Sequence, residues 1–251
     1  QYSLDFGAGL LQLGIKREDK IGLISDNRPE WLYASMGIMS IGGIDVPRGC
    51  DATLVDLEKI LAITECELVV AENNSQVNKV VSLKEKLPSV KRIICFESEV
   101  KEDVLKSAKD NGIEVIFYEN FIKEAQKWRI ENKGAVEAEL EKGKSEDLAT
   151  IIFTSGTTGS PKGVMLTHRN FLAQLDELPE RIFVNPGEKA LSVLPIWHVF
   201  EREVEYVILI QGAAVCYSKP VGSILLADFI YVMDGTIAYV ALPHMAGSFS
   251  A

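Results

Sequence analysis

Ten consecutive residues, Thr154-Ser155-Gly156-Thr157-Thr158-Gly159-Ser160-Pro161-Lys162-Gly163, carry three glycines, five hydroxyls and one lysine. Glycine lets a backbone turn sharply and approach a ligand with no Cβ in the way. Successive N–H groups in such a turn form a concavity for an anion. The hydroxyls add donors and a hard oxygen ligand for a metal, and the Lys162 ammonium suits a phosphate. The stretch reads as a phosphate loop. The nucleoside-triphosphatase pattern does not fit it, because Pro161 precedes the lysine and Gly163 follows it. The dinucleotide pattern fails at Gly7-Ala8-Gly9-Leu10-Leu11-Gln12, which lacks its last glycine and precedes a strand. A second chemical candidate is His198, with Trp197 beside it. On position alone His198 fits a structural role as well as a chemical one, and Trp197 fits either a core or the gate of an apolar tunnel. His168 is expected to cap or orient the helix after the loop.

The elements that must hold these residues alternate along the chain. Short apolar runs at 21–25, 44–47, 68–71, 92–96, 115–118 and 149–153 read as strands. Between them, helices are expected from Pro29, at 53–63 (Leu54, Leu57, Ile60 and Leu61 at helical spacing), at 76–87 and at 102–111. Proline at a first-turn position costs the Pro29 helix no hydrogen bond. Strands separated by helices imply crossovers, so the fold class is α/β with a mainly parallel sheet flanked by helices. The Glu- and Lys-rich stretch 129–147 reads as a solvated helix or surface connection. Beyond the loop, strands are expected at 190–194, 214–217 and 237–242, and helices at 168–177, 199–210 and 223–232.

Composition bounds the function. With 251 residues, 47% hydrophobic and 25% charged, the chain has the make-up of a globular protein with ample core. Its formal charge of −10 excludes a general affinity for nucleic acid or anionic lipid, though a local site can oppose the global sign. Cys50, Cys66, Cys95 and Cys216 share no CxxC spacing, so buried or half-buried thiols in a reducing compartment are expected. The longest apolar stretch, 206–215, is short of a membrane span. The chain begins at Gln1 inside an expected helix, so its start is expected to lie upstream.

The stretch Phe153 to Val164, continuing into Thr167-His168, closely resembles the signature of the adenylate-forming enzymes: acyl-CoA synthetases, peptide-synthetase adenylation domains and luciferases. Leu194-Pro195-Ile196-Trp197-His198-Val199-Phe200-Glu201-Arg202 is similar to that family's Pro-x-x-His element, in the form found in long-chain fatty acid–CoA ligases. Asp26-Asn27-Arg28-Pro29-Glu30-Trp31 and Val46-Pro47-Arg48-Gly49 resemble the N-terminal part of the same subgroup. The resemblance implies a partial large N-terminal adenylation domain over residues 1–242, with 243–251 a tail without family match.

By resemblance, the full-length protein would activate a long-chain fatty acid with ATP to an acyl-adenylate and transfer it to coenzyme A. Other acids (aryl or shorter acyl), or a non-catalytic nucleotide- or acyl-binding module for the chain alone, are the alternatives. The resemblance implies that Thr154, Ser155, Gly156, Thr157, Thr158, Gly159 and Lys162 hold the ATP phosphates, and that Thr154 reaches Mg²⁺. His198 and Lys162 would be catalytic, and Trp197 with His198 would flank the acyl pocket. The expected location is cytoplasmic, with peripheral membrane contact for acyl supply. The family's aromatic–Gly–x–Thr–Glu and Thr–Gly–Asp elements, and the C-terminal domain with its adenylation lysine, do not occur within these residues.

Overall fold

The computed structural model describes residues 1–154 and 161–218. Seven strands form one sheet: β1 (Lys20–Ile24), β2 (Ile44–Arg48), β3 (Leu68–Ala71), β4 (Arg92–Cys95), β5 (Glu114–Phe117), β6 (Leu148–Thr154) and β7 (Lys162–Thr167). Their order is β5-β4-β3-β1-β2-β6-β7, and every neighbouring pair is parallel except β6 and β7. Helices make the crossovers: α1 (Tyr2–Gln12) leads in, then α2 (Pro29–Ser40), α3 (Leu54–Thr64), α4 (Asn74–Ser82), α5 (Glu102–Asp110), α6 (Tyr118–Glu131) and α7 (Ala135–Glu141).

The parallel strands are apolar on both faces because helices cover both. In β3, Val69 and Ala71 join the core under α3, α4 and α5, while Leu68 and Val70 join Phe6, Trp31, Ile38 and Phe121 under α1, α2 and α6. Local chemistry starts the helices as expected. Pro29 opens α2, and Thr53 with Asp56 forms a reciprocal capping box on α3.

After β7 come α8 (His168–Glu177), a 3₁₀ turn (Leu178–Glu180), β8 (Lys189–Ser192), α9 (Val199–Ile210) and β9 (Ala214–Tyr217), with β8 and β9 paired in parallel. The helix α9 is bolted to the large sheet by Arg202. Its guanidinium is 1% exposed and donates to both Asp45 carboxylate oxygens at 3.0 and 2.7 Å, to Ser35 Oγ at 2.8 Å and to Tyr206 Oη at 2.7 Å. Trp31, Phe171 and Tyr206 rings surround it, with centroids 5.1–5.7 Å away.

Several expectations need correction. Lys162 and Gly163 were expected in the loop, and no strand was expected after it, but Lys162–Thr167 is a strand, antiparallel to β6, so the sheet is parallel with one antiparallel edge. The helix expected to reach residue 87 ends at Ser82, where Leu83 and Lys84 close turns back onto Val80 and Val81. The strand expected through 118 stops at Phe117, and Tyr118 begins α6, a helix that was not foreseen. The 129–147 stretch contains the end of α6 and the short α7. Thr167, through its own capping box with Asn170, caps α8; His168 is the first helical residue. All four cysteines are free, two buried and two half-buried, as expected. The helix expected at 223–232, the strand at 237–242 and the tail 243–251 lie outside the described residues.

Candidate active site

In an antiparallel pair, residues directly opposite each other project to the same face. Thr154, the last residue of β6, is opposite Lys162, the first of β7. Their side chains therefore project to the same face, at the end of the β6–β7 ladder. Both residues are exposed. Ser155, Gly156, Thr157, Thr158 and Gly159, between them, lie outside the described residues. Lys162 is thus held by a β-ladder.

Thr154 also lines a cavity of about 650 Å³. Phe153, Val164, Leu166, Ala173, Trp197 and Val199 give it apolar walls, while Arg48, Asn170, Gln174, His198 and Glu203 supply polar groups. Mostly apolar concavities of this size with a few polar groups are the usual form of a small-molecule site. The cavity lies where the parallel strands β2 and β6 end, the edge at which open α/β sheets bind ligands.

The structure brings Thr154, Trp197 and His198 to this one cavity, with Lys162 across the ladder from Thr154. His198 is the N-cap of α9, and its Nδ1 accepts the Phe200 N–H at 3.4 Å. Trp197 is half-buried, with the Arg48 guanidinium carbon 5.1 Å from the centre of its ring. A Cβ at Gly49 would collide with Trp197 Nε1, so only glycine lets the chain after β2 pass there. The approach to Trp197 is fixed by Asn27. Its amide donates to Ser192 Oγ at 2.8 Å and to the Leu194 carbonyl, and its Oδ1 accepts the Ile196 N–H at 3.0 Å.

Charged groups on α9 had not been assigned from sequence. Burial pushes Glu203, in the cavity wall, up to about 7, with Arg202 pulling the other way. Burial raises Glu205 to about 7 as well, against the hydroxyls of Ser192 and Tyr217; Tyr217 donates to Glu205 Oε2 at 3.0 Å. Glu201 is raised by burial and held by Ser192 and the Val193 and Leu194 backbone. The signal available in the sequence was three carboxylates and one arginine on a helix whose other residues are apolar or aromatic. His168 lies away from this cavity, in a separate groove between α8 and α9, and burial lowers its imidazole.

Magnesium prefers hard oxygen ligands in octahedral array. Thr154, at the cavity wall, would supply one such oxygen. Asp26, Cys50 and Glu72 also converge, with ligand atoms within 4.8 Å of one another. Asp26 accepts the Cys50 N–H at 3.0 Å, and Glu72 accepts Ser25 Oγ–H at 2.9 Å and Asp26 N–H at 2.8 Å. Burial raises the Cys50 thiol and keeps it protonated. These three brace the ends of β1, β2 and β3.

Residues 1–240 match the family model of the AMP-binding enzymes. A chloroplastic long-chain-fatty-acid–[acyl-carrier-protein] ligase of Arabidopsis thaliana is 35% identical over 222 residues, which are 87% of this chain and 30% of that protein. Human long-chain-fatty-acid–CoA ligase 1 is 30% identical over 241 residues, 92% of this chain and 33% of the relative. The chain thus spans about a third of the length of the curated relatives it matches. In fold it is similar to the inhibitor-bound N-terminal domain of FACL13 from Mycobacterium tuberculosis, at TM-score 0.65 and 18% identity, covering 88% of this chain and 49% of that one. A mostly parallel sheet flanked by helices and this family match give one conclusion: the chain belongs to the AMP-binding enzyme family, the adenylate-forming ligases.

Proposed function

We propose that the full-length protein carrying this chain is an AMP-forming ligase that activates a long-chain fatty acid with ATP and passes the acyl group to the thiol of coenzyme A. One observation carries the reading. Thr154, paired across the β6–β7 ladder with Lys162, lines an apolar-walled cavity, which supports a reading in which a triphosphate site and an acyl site meet at this residue.

In the first step a carboxylate oxygen of the acid bonds to the α-phosphorus of ATP. The bond to the bridging oxygen breaks, and pyrophosphate leaves. In the second step the thiol sulfur bonds to the acyl carbon, the carbon–oxygen bond to AMP breaks, and the thiol proton goes to solvent. Such transfer depends on fixed geometry and on charge neutralised around the phosphates. Lys162 and the N–H groups of 155–159 would hold the phosphates. Thr154 would hold Mg²⁺, which supplies further positive charge. His198 and Trp197 would set the entrance of the acyl chain beside the α-phosphate.

Coenzyme A as acceptor is supported by the human relative's name, and acyl-carrier protein by the Arabidopsis relative's. The expected location is cytoplasmic, with peripheral membrane contact as the source of acid; no helix of the described residues is long and apolar enough to cross a membrane. Isotope exchange between pyrophosphate and ATP tests the first step. Exchange that depends on a long-chain acid is expected. Exchange driven instead by an aryl or short acid would assign another substrate class.

A further inference from the structure

We propose that Arg48 receives the carboxylate of the acid substrate. This rests on the fatty-acid reading above and goes beyond it by naming the residue that recognises the reacting end. Arg48 is the last residue of β2 and the one lysine or arginine among the described residues lining the 650 Å³ cavity, whose walls are otherwise mainly apolar. The guanidinium carbon lies 5.1 Å from the centre of the Trp197 ring, a cation–π contact that uses none of its N–H donors.

Its charge is poorly matched among the described residues. Nε is buried without a hydrogen-bond partner among the described residues. The carboxylate nearest in its salt-bridge geometry, Asp56, is 3.9 Å from Nη2, beyond hydrogen-bond distance. Asp56 is also engaged elsewhere, accepting the Thr53 hydroxyl at 2.8 Å and the Thr53 N–H at 3.1 Å in the α3 capping box. Arg202, by contrast, meets Asp45 at 2.7 Å. Arg48 instead brings a cation to the wall of an apolar cavity, beside Thr154 and His198.

The ligand that matches a cation in an apolar enclosure is an amphiphile with an anionic end. An arginine fork binds a carboxylate in the bidentate manner that gives both strength and orientation. Oriented by Arg48, a fatty carboxylate would have its tail against Phe153, Val164, Leu166 and Trp197, and its oxygens toward the Thr154 side, where the α-phosphate is expected.

Calorimetric titration of the full-length protein with dodecanoate and with dodecanol tests this. The two share a tail and differ in the charged end. Wild type is expected to bind the acid at least about tenfold more tightly than the alcohol. R48Q should remove that preference, bringing the acid to the alcohol's affinity with ATP binding unchanged. R48M, which keeps the apolar stem over Trp197, should do the same, so the test survives if one variant fails to fold. A preference that persists in a folded variant overturns the proposal. So does a loss confined to ATP affinity, which would make Arg48 a phosphate ligand. If wild type binds neither amphiphile, the fatty-acid reading itself fails and this inference with it.

Discussion

Arg202 and Asp45, 157 residues apart in sequence, form a fully buried bidentate ion pair that locks α9 against the end of the large sheet. Since His198 caps that helix, the pair also fixes where the imidazole enters the cavity. Removing one partner of a buried pair strands the other charge and costs about 3–5 kcal/mol. Arg202→Met should therefore lower unfolding stability by that amount in urea titration. Adding Asp45→Leu should recover a large part of it. A loss below about 1 kcal/mol in the single variant would contradict the assignment.

Lys162 is exposed at the first position of β7, so Lys162→Ala should leave stability within about 0.5 kcal/mol. Adenylate formation should slow about a hundredfold, the usual cost of losing one donor to developing charge. Melting and single-turnover adenylation on the same preparation separate the two effects. An unchanged rate removes Lys162 from the phosphate site.

His198 combines a cap with a proposed chemical role, and the two come apart by substitution. His198→Ala should cost about 1 kcal/mol through the lost Phe200 N–H acceptor. His198→Asn, a strong capping residue, should restore stability but not turnover of long acids. Full turnover by the Asn variant would show that the residue is a cap alone.

Stability should also fall as pH rises, in a defined window. Burial lifts Glu205 from 4.5 to about 7, so between those values the folded chain keeps a proton that the unfolded chain has released. The stabilisation is complete below about pH 4.5, declines as pH rises and is gone above about pH 7. Glu205→Gln should flatten that slope by about 1 kcal/mol per pH unit, leaving the part due to Glu203. Unfolding titrations across this range that show an unaltered slope in the variant would contradict a buried neutral carboxyl.

The parallel sheet was readable from sequence because its strands are buried on both faces and appear as unbroken apolar runs such as Leu68-Val69-Val70-Ala71. The strand β7 was not, because Lys162-Gly163-Val164-Met165 is exposed and shows no alternation; pairing with β6 makes it a strand. Thr154, Lys162, Trp197 and His198 were identified from motif and residue type. Arg48, Asn27 and Arg202 were quoted within motifs yet given no role, since their partners Trp197, Ile196 and Asp45 are 149, 169 and 157 residues away. Spacing along a chain carries no record of such contacts.

The proposed reaction turns on attack of a fatty carboxylate at the α-phosphate of ATP. Separation of the nucleotide products formed by the full-length protein with ATP, a long-chain acid and coenzyme A tests it most directly. AMP and pyrophosphate in equal amounts, appearing only when the acid is present, are expected. ADP and inorganic phosphate would mean attack at the γ-phosphate and would contradict the account.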